Sequence, residues 1–232
     1  MRAGRDVKLS AIQKGDRAVP PRFKHAKSTG ASGRRAVDLL MELLALTGPS
    51  GAEGDVVAAI QRHLARLPLP AGAWASDKAF KKSPIGGLVG NLALRLPGTV
   101  RGTRRLLAAH MDTVPLCIGA KPLRKGRRIV AADRHTALGG DDRTGCAVLL
   151  ATALTILEQQ LPHPPLTFLW TVQEEAGLHG ARYVNVPMLR KPRLAFNFDG
   201  GAAERLKLGA TGGHRLFATV EGVASHAGMR PE

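Results

Sequence analysis

The sequence predicts an α/β fold, a three-layer αβα sandwich whose mostly parallel sheet is covered by helices on both faces. Three observations predict it. The short apolar runs RLLAAHM, LTFLWTV and RLAFNFD have strand length and the composition of buried strands. Longer stretches with apolar residues at helical spacing lie between them. Acidic residues fall just past the ends of the runs, where open α/β sheets bind their ligands.

Each element follows in order. AVDLLMELLALTGPSG (36–51) reads as a helix, because Leu39, Leu40, Leu43 and Leu44 share one face and Gly48-Pro49 closes it. EGDVVAAIQRHLARL (53–67) reads as a second amphipathic helix. Residues 68–90, rich in Pro, Gly and Lys, read as irregular connection. NLALRL (91–96) alternates as a strand, and RLLAAHM (105–111) is a buried one. DRTGCAVLLATALTILEQQL (142–161) reads as a long helix stopped by Pro162, followed by the strand LTFLWTV. A helix over 176–189 is broken by Pro187, RLAFNFD (193–199) ends at Gly200-Gly201, and HRLFATVEG (214–222) alternates as a half-exposed strand.

Composition excludes several classes. No run of eighteen apolar residues exists, so no membrane span is expected. Cys117 and Cys146 stand far apart in apolar segments and form no CxxC pattern, which argues against a disulfide scaffold and for a reducing cytoplasm. The net charge of +16 raises nucleic acid as a partner. Its distribution argues otherwise: ten Lys or Arg stand in the first 35 residues against Asp6 and Asp16, and others cluster in the loops 101–105 and 121–128. Aromatic residues make up 4%, leaving little on which bases could stack. Residues 1–35 lack the apolar core of a secretory signal and read as a basic, disordered tail in preference to an organelle-targeting peptide or an over-long gene start.

The acids carry the chemistry. Past RLLAAHM lie His110 and Asp112, which face one way in an extended chain. GGDDRTG places Asp141 and Asp142 at the start of the long helix, LTFLWTV runs into Glu174 and Glu175, and RLAFNF runs into Asp199. Alone, the His-x-Asp reads as a surface pair and the Asp-Asp as an ordinary helix cap. Together they bring one histidine and several carboxylates to one sheet edge, which is costly without cations. His and carboxylate ligands suit zinc, and manganese or cobalt more loosely. Two ions roughly 3.5–4 Å apart would use all the acids. The two adjacent glutamates would then divide the work, one on metal and one facing the water between the ions.

The series LLAAHMDTVP, LGGDDRTG, TVQEEAGLHGA, NFDGG and GVASHAGMRPE resembles the di-zinc metallopeptidases that include peptidase T, carboxypeptidase G and the aminoacylases. HMDTVP and LGGDDRTG look most like the peptidase T branch. A neighbouring glutamyl aminopeptidase group shares DDR-x-G and TVQEE-x-GL. It inserts a domain between the positions of His110 and Asp141, where this chain has only about thirty residues. The resemblance implies two zinc ions. His110 and Asp199 would bind one, Glu175 the other, and Asp141 would bridge both, with a cis peptide bond following Asp141. Glu174 would be the general base, Asp112 would hold His110, and His226 would reach substrate from the lid domain of a neighbouring subunit.

The family's last zinc ligand is a histidine beyond the lid. None of His135, His163, His179 and His214 occupies its place, and His179 reads as a surface residue. The expectation is therefore a catalytic domain over 36–209 and the opening of a lid and dimerisation domain over 210–232. The implied activity is that of a zinc exopeptidase cleaving short peptides in the cytoplasm, homodimeric once the lid is complete. A related amidohydrolase or carboxypeptidase acting on N-acyl amino acids, or a non-catalytic fragment of such an enzyme, are the alternatives.

Overall fold

The computed structural model describes residues 30–201, 205–209, 212, 218–219 and 221, with side chains from residue 33. The expected strand over 214–222 lies largely outside them, and His226 lies outside them altogether.

Helix α1 runs Gly30–Ala45 and α2 Gly54–Leu64. The first begins before the expected residue 36, within the stretch read as tail. Leu39 and Leu43 of α1, and Val56, Ala59, Ile60 and Leu64 of α2, repeat at three- and four-residue intervals and are buried. Strand β1 (Trp74–Ser76) follows, then β2 (Leu92–Leu96) and β3 (Arg105–His110). β4 (Pro122–Lys125) and β5 (Arg128–Ala131) form a separate two-stranded hairpin. Helix α3 (Gly140–Glu158), strand β6 (Leu166–Thr171), the single turn α4 (His179–Arg182) and strand β7 (Leu194–Asn197) complete the order.

The five-stranded sheet has the order β1-β2-β6-β3-β7. β3 pairs in parallel with β6 and β7, whereas β2 pairs antiparallel with β6 and with β1. All strands but β2 thus run the same way. Alternation splits the strands between two faces. Leu166, Phe168 and Trp170 of β6 join Leu92, Leu94 and Leu96 of β2 in the main core under the long helices. Ala93, Leu106 and Leu169 point the other way and meet Met188 and Leu189. Burying each large side chain of this kind contributes about 1.5–3 kcal/mol.

That second face is where the expected helix over 176–189 is not continuous. It is reduced to α4 and a 3₁₀ turn, Val186–Leu189. Gln173 and Leu178 adopt positive φ, which turns the chain sharply before α4, and Pro187 sits in the 3₁₀ turn. The stretch read as irregular contains β1, and the basic loop 121–128 contains β4 and the turn into β5. Among the described residues no helix is long and apolar enough to cross a membrane. Chain contacts separate Met1–Gly200 from Gly201–Glu232 as two units. The described residues of the second, 205–209 included, form no helix or strand.

Candidate metal centre

β3 and β6 run in parallel and in register, His110 opposite Thr171. Their carboxyl ends therefore deliver His110 and Glu174-Glu175 to the same edge. The short β7, in register with β3, brings Asp199 there. Asp141 arrives at the start of α3. Asp141 (φ −87°, ψ 112°) and Asp142 (φ −117°, ψ 38°) are not helical, so the regular turns begin at Arg143. The Asp141–Asp142 peptide bond is cis, as the resemblance implies.

His110 Nε2 lies 2.9 Å from Asp141 Oδ1 and 3.9 Å from Glu174 Oε2. One ligand atom from each of His110, Asp141 and Asp199 fits within 4.8 Å of the others, and so does one from each of His110, Glu174 and Glu175. The two groups share His110. The donor set, one imidazole with carboxylates, could hold a metal ion, and its chemistry suits zinc, manganese or cobalt.

Asp112 backs this cluster. The His110 Nδ1–H donates to the Asp112 carbonyl at 3.0 Å, with the Asp112 carboxylate 3.5 Å away. This selects the tautomer whose Nε2 faces the cluster. The Asp112 carboxylate also accepts from Ser50 Oγ at 2.6 Å and from the backbone N–H groups of Glu174 (2.9 Å) and Glu175 (3.1 Å). It is fully buried. One residue therefore fixes both the imidazole, chiefly through its carbonyl, and the start of the glutamate pair, through its carboxylate. Asp142 points inward instead, accepting from the N–H groups of His110 (3.1 Å) and Gly145 (3.0 Å).

The electrostatics show a site with excess negative charge. Burial pushes the Glu174 and Glu175 carboxyls above their ordinary range, and the neighbouring acids add to the effect. Burial likewise pushes Asp142 up to about 7. Burial opposes a charge on His110, yet the hydrogen-bonded Asp112 carboxylate, with Asp142 and Asp141 behind it, pushes it up to about 10. Burial also works against the Asp112 charge, but the His110 and Ser50 hydrogen bonds outweigh it and hold that carboxyl low. In the metal-free protein a proton on His110 supplies the positive charge that the acids demand.

Several residues around the site were not singled out in the sequence. Ser50 and Glu53 come from the loop between α1 and α2, and Glu53 accepts from the Gln173 N–H at 3.0 Å. Arg143 is buried and donates to the carbonyls of Leu43 (3.2 Å) and Gly48 (3.3 Å). The Gly48 carbonyl also accepts from the Thr113 N–H. Only the signature SG-x-E before an amphipathic helix hinted at Ser50 and Glu53, and it reads equally as a helix start. His179, read as a surface residue, is partly buried and stacks on Tyr183.

The chain is similar to several known proteins. A profile of peptidase family M28 matches residues 91–228, more than half of the chain. The uncharacterized protein YqjE of Bacillus subtilis (strain 168) is 27% identical over 200 residues, 86% of this chain and 52% of its own length. Carboxypeptidase G2 of Pseudomonas sp. (strain RS-16) is 31% identical over 65% of this chain and 37% of its own. Peptidase T of Pasteurella multocida (strain Pm70) is 32% identical over 44% of this chain and 24% of its own. The chain spans about half the length, or less, of these relatives. Among solved structures, a tripeptidase from Staphylococcus aureus superimposes with a TM-score of 0.65 at 30% identity, over 73% of this chain and 44% of that one. The aminopeptidase PepT of Bacillus cereus gives 0.65 at 28%, with the same coverage.

Proposed function

The chain belongs to peptidase family M28, and from that premise we propose that it carries the metal centre of an exopeptidase that removes N-terminal residues from short peptides. One observation carries the reading: an imidazole and four carboxylates from β3, β6, β7 and the start of α3 converge so that their ligand atoms fall within 4.8 Å in two groups sharing His110. The aminopeptidase direction is favoured over the carboxypeptidase or amidohydrolase alternative because the two neighbours with a TM-score of 0.65 are a tripeptidase and an aminopeptidase.

In this reading His110, Asp141, Glu175 and Asp199 are the residues that would hold two zinc ions. Bound ions would polarise the scissile carbonyl and lower the pKa of water in the site. The chain's own residues do the rest. Asp112 keeps the Nδ1–H of His110 engaged, so that Nε2 faces the site. Glu174 is the general base, taking a proton from the attacking water and passing it to the leaving amine. Burial raises its pKa above the ordinary carboxylate range, the direction that favours a group which takes up and then releases a proton. Residues 36–209 would make the catalytic domain, and 210–232, with His226, would open the lid through which the enzyme, once that lid is complete, forms a cytoplasmic homodimer.

The test is metal content together with hydrolysis of tripeptides carrying free or acetylated N-termini. Stoichiometric zinc and cleavage of the free-amine peptides alone are expected. Cleavage of the acylated substrates alone would transfer the site to the amidohydrolase reading, and absence of bound metal would overturn both.

A further inference from the structure

The two glutamates can do different jobs only if the backbone between them is held in one orientation. β6 pairing ends at Thr171, so the Gln173 N–H has no strand partner. It donates instead to Glu53 Oε1 at 3.0 Å, 120 residues away in sequence. Gln173 itself forms a corner. Its φ is +55°, its carbonyl accepts from the His179 N–H at 3.0 Å, and its Nε2 donates to the Gly86 carbonyl at 2.6 Å. A non-glycine residue holds such a backbone only where its surroundings fix it.

Glu53 occupies the N-cap position of α2, yet its side chain makes no cap hydrogen bond. It is fully buried. Its Oε1 accepts the N–H of Gly51 at 2.9 Å as well as that of Gln173, while Oε2 has no hydrogen-bond partner among the described residues. Burying a carboxylate so completely is costly, and a cap role does not explain it. From the corner onward the Glu174 and Glu175 N–H groups pass to the two oxygens of Asp112. Three consecutive backbone N–H groups are therefore held by two buried carboxylates.

We propose that Glu53 is a positioning residue which, by clamping the Gln173 N–H, sets the directions in which Glu174 and Glu175 enter the metal centre. This rests on the reading of those glutamates as site residues.

Two substitutions separate the clamp from a cap. Asp is a better N-cap than Glu, so Glu53→Asp preserves or improves the start of α2 while withdrawing the oxygen from Gln173. Glu53→Gln keeps both the reach and an acceptor oxygen. Amide exchange is measured on the metal-free full chain, alongside Co²⁺ titration followed by visible absorption. Glu53→Asp should speed exchange in the peptide over 171–176 about tenfold, with α2 unchanged. It should also weaken Co²⁺ about tenfold or more and alter its spectrum, as loss of groups supporting metal ligands does. Glu53→Gln should behave as the unsubstituted protein in both. Unchanged exchange at 171–176 in Glu53→Asp overturns the proposal, as does a Glu53→Gln protein as impaired as Glu53→Asp. If the unsubstituted protein binds no Co²⁺, the metal reading fails and the exchange comparison alone decides for Glu53.

Discussion

Gly145 and Phe198 meet backbone to backbone: a Cβ on Gly145 would collide with the Phe198 carbonyl oxygen and with the Asp142 carboxylate. Phe198 precedes Asp199, and Gly145 lies four residues after Asp141. This contact therefore sets the separation of two proposed ligands that arrive on different elements. Gly145→Ala should push α3 away from the end of β7. Helix propensity alone predicts the opposite sign, since Ala is favoured over Gly in a helix by about 1 kcal/mol. The expected outcome is a net loss of about 1–3 kcal/mol in urea unfolding, with weakened zinc binding. A stabilised variant with intact affinity would show that the contact does not hold the site together.

A second prediction follows from the charges. In the metal-free protein His110 is pushed up to about 10 and Asp142 to about 7. Both folded values exceed the unfolded ones, so both contributions are complete at low pH. That of Asp142 is lost as pH rises through about 7, and that of His110 as it rises through about 10. In the proposed site zinc would replace the proton on His110, so its binding should release protons and tighten as pH rises. The gap in Tm between zinc-loaded and chelated protein should widen from about pH 6 to about 8.5. Calorimetry in buffers of different ionisation enthalpy should detect the released proton. A gap that is flat with pH would contradict the His110–carboxylate arrangement.

Arg143 offers a third. Its guanidinium is buried with no carboxylate partner among the described residues, and two of its nitrogens hold the Leu43 and Gly48 carbonyls. It ties the end of α1 to the start of α3, and the Thr113 N–H meets it at the same Gly48 carbonyl. Charge-assisted hydrogen bonds of this kind contribute about 1.5–3 kcal/mol each. Arg143→Ala should therefore cost roughly 3–5 kcal/mol in denaturant unfolding. Arg143→Lys should recover part of that, because one ammonium cannot span both acceptors as the planar fork does.

The parts of this molecule legible in the sequence are those specified locally. β3 and β6 announce themselves as apolar runs, and the residues just past them are read as site residues because sheet geometry dictates where strand ends converge. β1 has three residues and no detectable period. The alternation of β4 and β5 is masked by Arg124, Lys125 and Arg128, which are exposed on a hairpin outside the main sheet. The 176–189 stretch has helical composition, but Gly180 abuts the Val172 backbone and holds the chain close to the end of β6. The role of Glu53 and Ser50 at the site escapes the sequence for another reason. Their partners Gln173 and Asp112 lie 120 and 62 residues away, and no local pattern encodes such a pairing.

The sharpest prediction concerns the division of labour between Glu174 and Glu175. Both feel burial and neighbouring acids, yet only Glu174 has an oxygen within 4.0 Å of the His110 ring. If Glu174 moves the proton and Glu175 holds metal, the two amide variants should fail differently. Glu174→Gln should retain zinc with near-unchanged affinity and lower kcat by roughly 10²–10⁴, the usual share of general acid–base catalysis. It should also flatten the acid limb of the kcat/KM profile. Glu175→Gln should lose zinc first, with activity partly restored by excess metal. The contrast is informative because the two substitutions are chemically identical and one residue apart. A Glu174→Gln protein with full activity would remove the general base from this account, and equal zinc loss in both variants would make the pair a joint ligand.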